Sequence, residues 1–214
     1  MYFKTEGVII AKKNFGEADR ILTIFTRDHG KIGCIAKGVR RPRSKKAGHV
    51  ELGNWCKVFI ARGKNLDLLT EVELKRAFGI SDFREAKANQ IYHLLELVDI
   101  LTPQNQKNLQ VFILLVHFLK KVASGEDFNL LSSSFKVRLL NELGFFSAYS
   151  PQEERVHKVL KILEEDDLED IKTKLKVSKN GYAKLLRFLD SIIENLTESK
   201  LKTSRFLNGS TKTQ

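Results

Sequence analysis

At 214 residues with 42% hydrophobic composition, the chain can bury a core in one large or two small domains and is too apolar for a disordered tail. It carries a formal charge of +11, yet no apolar run approaches the ~18 residues of a membrane span. Met1 to Glu6 lacks the charged-then-apolar layout of a secretory leader. Two cysteines and five scattered histidines give no metal-ligand spacing. These features predict a cytoplasmic protein without cofactor, metal, membrane contact or small-molecule substrate. Cys34 and Cys56 are expected as buried thiols, since a disulfide would require them to face each other across a sheet.

Tyr2 to Lys13 reads as a first strand, followed by a loop through Asn14, Phe15, Gly16 and Glu17. Arg20 to Thr26, rich in β-branched and aromatic residues, is a second strand. The turn residues Asp28 to Lys31 lead into a third, Ile32 to Ala36. Trp55 to Ala61 is a fourth strand, and Leu66 to Leu74 a fifth in which apolar and polar residues alternate. Five short strands in about eighty residues suggest a small closed β-barrel, with an OB-fold as the leading candidate. Pattern alone does not separate it from an SH3-like barrel. Trp55 and Phe59, lying in a strand, are expected in the core.

Between the third and fourth strands lies Lys37-Gly38-Val39-Arg40-Arg41-Pro42-Arg43-Ser44-Lys45-Lys46, with six cations and no acid. Gly38 and Pro42 oppose a helix. A run this basic is either a solvated connector or a surface for the phosphates of a polyanion. Residues 1–80 hold 17 Lys/Arg against 8 Asp/Glu, whereas residues 81–214 hold 20 against 18. A polyanion-binding role therefore belongs to the first eighty residues. Lys37, Arg40, Arg41, Arg43, Lys45 and Lys46 are the candidate phosphate contacts, with Arg20 and Arg27 beside the second strand as further ones. Phe15, in a loop, is the candidate for stacking on a base.

From Ser81 the apolar period becomes helical. Asp82 and Glu85 resemble a capping box, and Ile91, Leu94, Leu95 and Val98 form one stripe. Thr102-Pro103 is expected to open a second helix, whose Leu109, Phe112, Ile113, Val116 and Leu119 mark it as central, with His117 a hydrogen-bonded core residue. A third helix should run from about Leu130 to Leu143 and stop at Gly144. Ser150-Pro151 starts a fourth, striped by Val156, Val159, Leu160 and Leu163. Two more are expected at Leu168 to Leu175 and Tyr182 to Leu196. The acidic run Glu164 to Asp170 suits a helix start better than a metal site. The layout is α+β: an OB-type barrel over residues 1–80, an all-α domain of about six helices over 81–200, and a polar tail over 201–214.

Gly7-Val8-Ile9, Phe15-Gly16-Glu17-Ala18-Asp19, Phe25 to Gly30 and Ala36 to Lys45, in this order and spacing, resemble the N-terminal domain of the RecO DNA repair and recombination proteins. Phe135 to Phe145 resembles a helix of that family's helical domain. The resemblance implies an OB-fold that binds single- and double-stranded DNA and anneals complementary strands without ATP. It also implies work beside RecR and the single-stranded-DNA-binding protein (SSB), in recombinational repair at the nucleoid. Many relatives carry a four-cysteine zinc module after the Leu-Gly-Phe segment. Here Phe146 to Pro151 contains no cysteine, so a form without zinc is implied. In the family the acidic, Phe-ended SSB tail docks on the helical domain, which needs an apolar cleft with cations at its rim. Lys120, Lys121, Lys136 and Arg138 are the candidates by position.

No GxxxxGK[ST] phosphate loop and no Gly-x-Ser-x-Gly nucleophile elbow is present, so no catalytic residues are expected. Two other functions fit the residues without the resemblance. One is an RNA-binding OB protein acting on ribosome or tRNA; the other is an adaptor whose helices do the work.

Overall fold

The computed structural model describes residues 1–78, 85–145, 154–175, 179–198 and 200–203. The expected capping box at Asp82, the zinc-free segment Phe146 to Pro151, the start of the fourth helix at Ser150 and most of the polar tail lie outside them.

Five strands, β1 (Tyr2–Phe15), β2 (Asp19–Thr26), β3 (Gly30–Ala36), β4 (Trp55–Ala61) and β5 (Asp67–Arg76), close into a barrel in the order β1-β2-β3-β5-β4. This is the OB-fold arrangement. The sequence dictates which side of each strand faces in: Cys56, Val58 and Ile60 are buried, while Trp55, Lys57, Phe59 and Ala61 alternate with them at half exposure. Leu22, Ile24, Ile32, Cys34 and Ala36 complete the same core, as a period of two requires. Cys34 and Cys56 are both buried and free.

β1 is long enough to serve two neighbours. Tyr2 to Val8 pair with β4, Gly7 to Phe15 with β2, and an irregularity between Ile9 and Ala11 turns the strand from one to the other. The closing seam is slight. β3 meets β5 in parallel at only Cys34↔Asp67 and Ile35↔Leu68.

Six helices follow: α1 (Glu85–Leu101), α2 (Leu109–Ser124), α3 (Phe128–Glu142), α4 (Glu154–Glu165), α5 (Leu168–Lys174) and α6 (Lys179–Thr197). The chain forms two compact units. One holds residues 1–123 with the described C-terminal Lys202 and Thr203, and the other holds Ser124–Leu201. The first unit thus joins the barrel to α1 and nearly all of α2.

Thr102-Pro103 does not open α2. Residues 102–108 are irregular, because they are used against the β2–β3 turn: the Asn105 amide donates to Lys31 O at 2.8 Å, and Lys31 bridges Gln104. The Lys31 ammonium, buried beneath them, reaches the carbonyl and carboxylate of Asp99. The helix starts instead at Asn108, whose Oδ1 accepts the Val111 amide at 3.0 Å. Glu96 accepts the Lys202 and Thr203 amides at 2.8 and 2.9 Å, so the first residues of the expected tail are held on α1.

In the second unit α3 takes the central position expected of α2. Asp127 caps it through the Asn129 and Leu130 amides. Every residue from Leu130 to Val137 is buried, and Ser132, Ser133 and Ser134 allow close approach by neighbouring helices. Ser134 Oγ donates to Leu163 O at 2.8 Å. Leu130, Val137, Leu160, Leu163, Leu168, Ile171 and Leu189 form the core there. Glu169 and Asp170 occupy the first turn of α5, where the helix dipole favours them.

Gly30 sits at a φ of +67°, and a Cβ on it would lie 1.9 Å from Gln106 O. Gly30→Ala must therefore displace residues 102–108, and is expected to cost at least about 1–2 kcal/mol in urea unfolding.

Candidate nucleic-acid interface

Residues 37–54 leave β3 and return to β4 as a chain of turns. Arg41 N donates to Gly38 O, Ser44 N to Arg41 O, Ala47 N to Ser44 O and His49 N to Lys46 O, at 2.9 to 3.3 Å. Two apolar residues hold this loop down. Val39 and Val50 are fully buried within the barrel core, with Leu52 packed against it.

Polar bonds complete the attachment. Lys46 Nζ donates to Thr70 O at 3.3 Å, and His49 Nδ1 lies 3.2 Å from Val72 O, both on β5. Asn54 Nδ2 donates to Gly48 O and His49 O at 2.9 and 3.1 Å. On the other side the loop is tied to the β1–β2 turn. Gly38 N donates to Asp19 Oδ1 at 2.7 Å, Arg40 N to Ala18 O at 2.8 Å, and Arg40 Nη1 to Gly16 O at 3.1 Å.

Anchored this way, the loop turns its cations outward. Lys37, Arg40, Arg41, Arg43 and Lys45 are exposed, and Lys46 is half-buried. None of them pairs with a carboxylate among the described residues. Two acids beside the loop are already engaged, while Glu17 of the β1–β2 turn is exposed. Asp19 accepts the Gly38 amide, and Glu51 binds Lys12 and, at 2.9 Å, Arg20. Phe15, 52% exposed, stands at the adjoining turn.

Six of the nine expected nucleic-acid contacts thus gather on one loop, with Phe15 beside it. Arg20 is placed differently: with Lys12 it shares the single carboxylate of Glu51 at the loop's base. Arg27 is exposed but lines a second feature, a cleft of about 470 Å³. Trp55 and Lys75 of the barrel line it together with Phe112, Ile113, Val116 and Lys120 of α2. The Lys75 and Lys120 ammonium groups lie 4.4 and 5.4 Å from the Trp55 ring centroid. Trp55 is consequently a half-exposed cation platform and not a core residue. Ile113 is 51% exposed, and His117 faces outward into the cleft. α2 buries only one stripe on this unit, and these residues fall opposite it.

Of the expected partner contacts, Lys120 alone lines this cleft. Lys121, half-buried on the same helix, does not. Lys136 is 2% exposed and bonds Asp190 at 2.6 Å; burial lowers its pKa although Asp190 works against that. Arg138 donates to the Leu163 and Asp166 carbonyls. Both make bonds within the second unit, Lys136 buried and Arg138 half-buried. Sequence reading also missed Asp19, Glu51, Val39 and Val50. The one available signal was three apolar residues, Val39, Val50 and Leu52, in a largely polar loop.

Nucleophilic chemistry finds no support at the cysteines. Burial pushes both thiols up to about 12, helped at Cys34 by Asp67, far from the thiolate a nucleophile needs. Among the described residues no group of three or more His, Cys, Asp or Glu side chains could hold a metal ion, and no helix is long and apolar enough to cross a membrane.

Burial alone would raise the Glu51 pKa, but hydrogen bonds and charge attraction from Lys12 and Arg20 prevail and hold it below 4.5. A carboxylate lowered by folding stabilises fully above its unfolded pKa and loses that contribution as pH falls through the folded value. Glu51→Gln is therefore expected to lower the urea midpoint at pH 7, with the difference from the parent shrinking as pH falls below the ordinary glutamate range.

The family model described as recombination protein O N terminal matches residues 1–78, and that for recombination protein O C terminal matches residues 90–150. The DNA repair protein RecO of Pelotomaculum thermopropionicum is 30% identical over 143 residues, covering 67% of this chain and 56% of the relative. That of Symbiobacterium thermophilum is 32% identical over 146 residues, with 67% and 57% covered. That of Dehalococcoides mccartyi strain CBDB1 is 35% identical over 144 residues, with 67% and 56% covered. The chain thus spans a little over half the length of these curated relatives.

Proposed function

The chain belongs to the RecO family, and on that premise we propose that it is a DNA-binding protein of recombinational repair. It holds single- and double-stranded DNA on the barrel loop, anneals complementary strands without ATP, and with RecR helps load recombinase onto SSB-coated DNA. The observation that carries this reading is the anchored loop with Lys37, Arg40, Arg41, Arg43 and Lys45 exposed and unpaired with acids. A solvated connector would gain nothing from two valines sunk in the core. Lysine supplies a point charge and arginine a planar fork that can grip a phosphate through two parallel bonds.

Annealing follows from the same balance. Neutralising the phosphates of two strands lets them approach, while few exposed aromatics leave the bases free to pair. The chemistry needs no catalytic residue. With about five phosphate contacts, the log–log salt slope on single strands should be roughly −3.5. Changing Arg40, Arg41 and Arg43 together to Glu should abolish annealing of complementary oligonucleotides and flatten that slope, while leaving the thermal midpoint close to the parent's. Preferential binding of RNA of equal sequence would identify an RNA-binding barrel instead. No nucleic-acid binding at low salt would favour the adaptor.

For the SSB contact, the cleft beside Trp55 has the required chemistry. It is lined by the apolar Phe112, Ile113 and Val116 and by the cations Arg27, Lys75 and Lys120, with one acid, Glu6, paired to Lys75, suiting an acidic tail with an aromatic end. An acidic, Phe-ended peptide should bind the parent, and Lys120→Glu or Ile113→Glu should weaken it by about tenfold or more, read by fluorescence anisotropy. Loss of annealing only on SSB-coated strands would connect the cleft to the mediator role.

A further inference from the structure

We infer that Asp19 is the positioning residue that locks the β1–β2 turn to the basic loop, so that Phe15 and Arg40 together form a subsite for one unpaired nucleotide. This rests on the nucleic-acid reading of the loop. The sheet register brings the parts together: Phe15 pairs with Asp19 across the hairpin, and Arg20 pairs with Ala36. Asp19 therefore stands at the throat of the hairpin, level with the first residues beyond β3.

Gly38, the second residue beyond β3, donates its amide to Asp19 Oδ1 at 2.7 Å, and its φ of +64° redirects the chain that follows toward Arg40. Two further bonds repeat the connection, from Arg40 N to Ala18 O and from Arg40 Nη1 to Gly16 O. Arg40 is thereby held one residue along the chain from the aromatic ring it serves, because Gly16 follows Phe15 directly.

The result is a stacking face at Phe15 and a guanidinium bonded to the carbonyl of the next residue, Gly16, on one tied turn. Arg40 spends one of its five N–H donors on Gly16 and keeps the others for a phosphate. A single-stranded nucleotide presents both a free π-face and its phosphate to such an edge. A paired base within a duplex offers no free face to Phe15. The subsite therefore favours single strands over duplex by the contribution of Phe15.

The presence of an acid here is itself informative. By charge alone a carboxylate beside a phosphate site weakens binding, and removing it should strengthen binding. A positioning role has the opposite sign, because the loose loop must be ordered each time DNA binds.

The test compares Asp19→Ala with Asp19→Asn, which loses the charge but keeps an acceptor oxygen for Gly38. Affinity for a single-stranded oligonucleotide is measured against salt, alongside exchange of the Gly38 amide hydrogen. Asp19→Ala should weaken binding about three- to tenfold, and Asn should bind at least as tightly as the parent. Gly38 exchange should quicken only in the Ala variant.

Phe15→Ala gives a second reading. Its loss in single-strand affinity should be smaller in the Asp19→Ala background than in the parent, since Arg40 is then no longer held at Gly16, next to Phe15. Equal or tighter binding by Asp19→Ala overturns the inference, as do equal losses by both Asp19 variants or additive effects with Phe15. Were the parent to bind no nucleic acid, the DNA reading would fall. Gly38 exchange would then decide alone whether the lock exists.

Discussion

The burial of Val39 and Val50 in the barrel core is the constraint on which the rest of the first unit depends. A stretch with six cations in ten residues repels itself and, left free, spreads into solvent. Two apolar side chains sunk among Leu22, Ile24, Val58 and Ile60 fix both limbs of the loop to the same hydrophobic mass that holds the strands. The conformational entropy of the loop is thus surrendered at folding, not at each encounter with a ligand. Charge becomes a shaped surface because of uncharged residues.

A second consequence is a division of labour among the cations. Lys12, Arg20, Lys31, Lys136 and Arg138 are all engaged with carboxylates or carbonyls, and each contributes to packing one unit. Lys37, Arg41, Arg43 and Lys45 have no acidic partner among the described residues and face water. Net charge counts the two classes equally. The second class projects its charge into water, and on this loop five such cations, Arg40 included, stand within nine residues.

The legible part of the fold was the part governed by period. Alternation in Cys56-Lys57-Val58-Phe59-Ile60 and stripes such as Val156, Val159, Leu160 and Leu163 are local facts, and the strands and helices follow them. The ion pairs of Arg20 and Lys136 were not legible because a charge does not announce its partner: Glu51 and Asp190 lie 31 and 54 residues away in sequence. The start of α2 was missed for a related reason. Thr102-Pro103 has sound helix-start chemistry, but the main chain at Asn105 is claimed by Lys31, a competitor some seventy residues earlier. The basic loop itself was plain in the sequence. Its support was not, since two valines gain meaning only once a core exists to receive them.

The two-pair seam between β3 and β5 gives the barrel a line of least cohesion. Local opening is drawn to such lines, and amides along it should be among the first to exchange. The loop straddles this line. It leaves the end of β3 and holds β5 through Lys46 at Thr70 and His49 at Val72. A ligand held along the loop, as proposed, would act as a suture across the seam, and occupancy and closure would be one equilibrium seen from two sides. The barrel would be tightest while carrying its cargo and most yielding when empty.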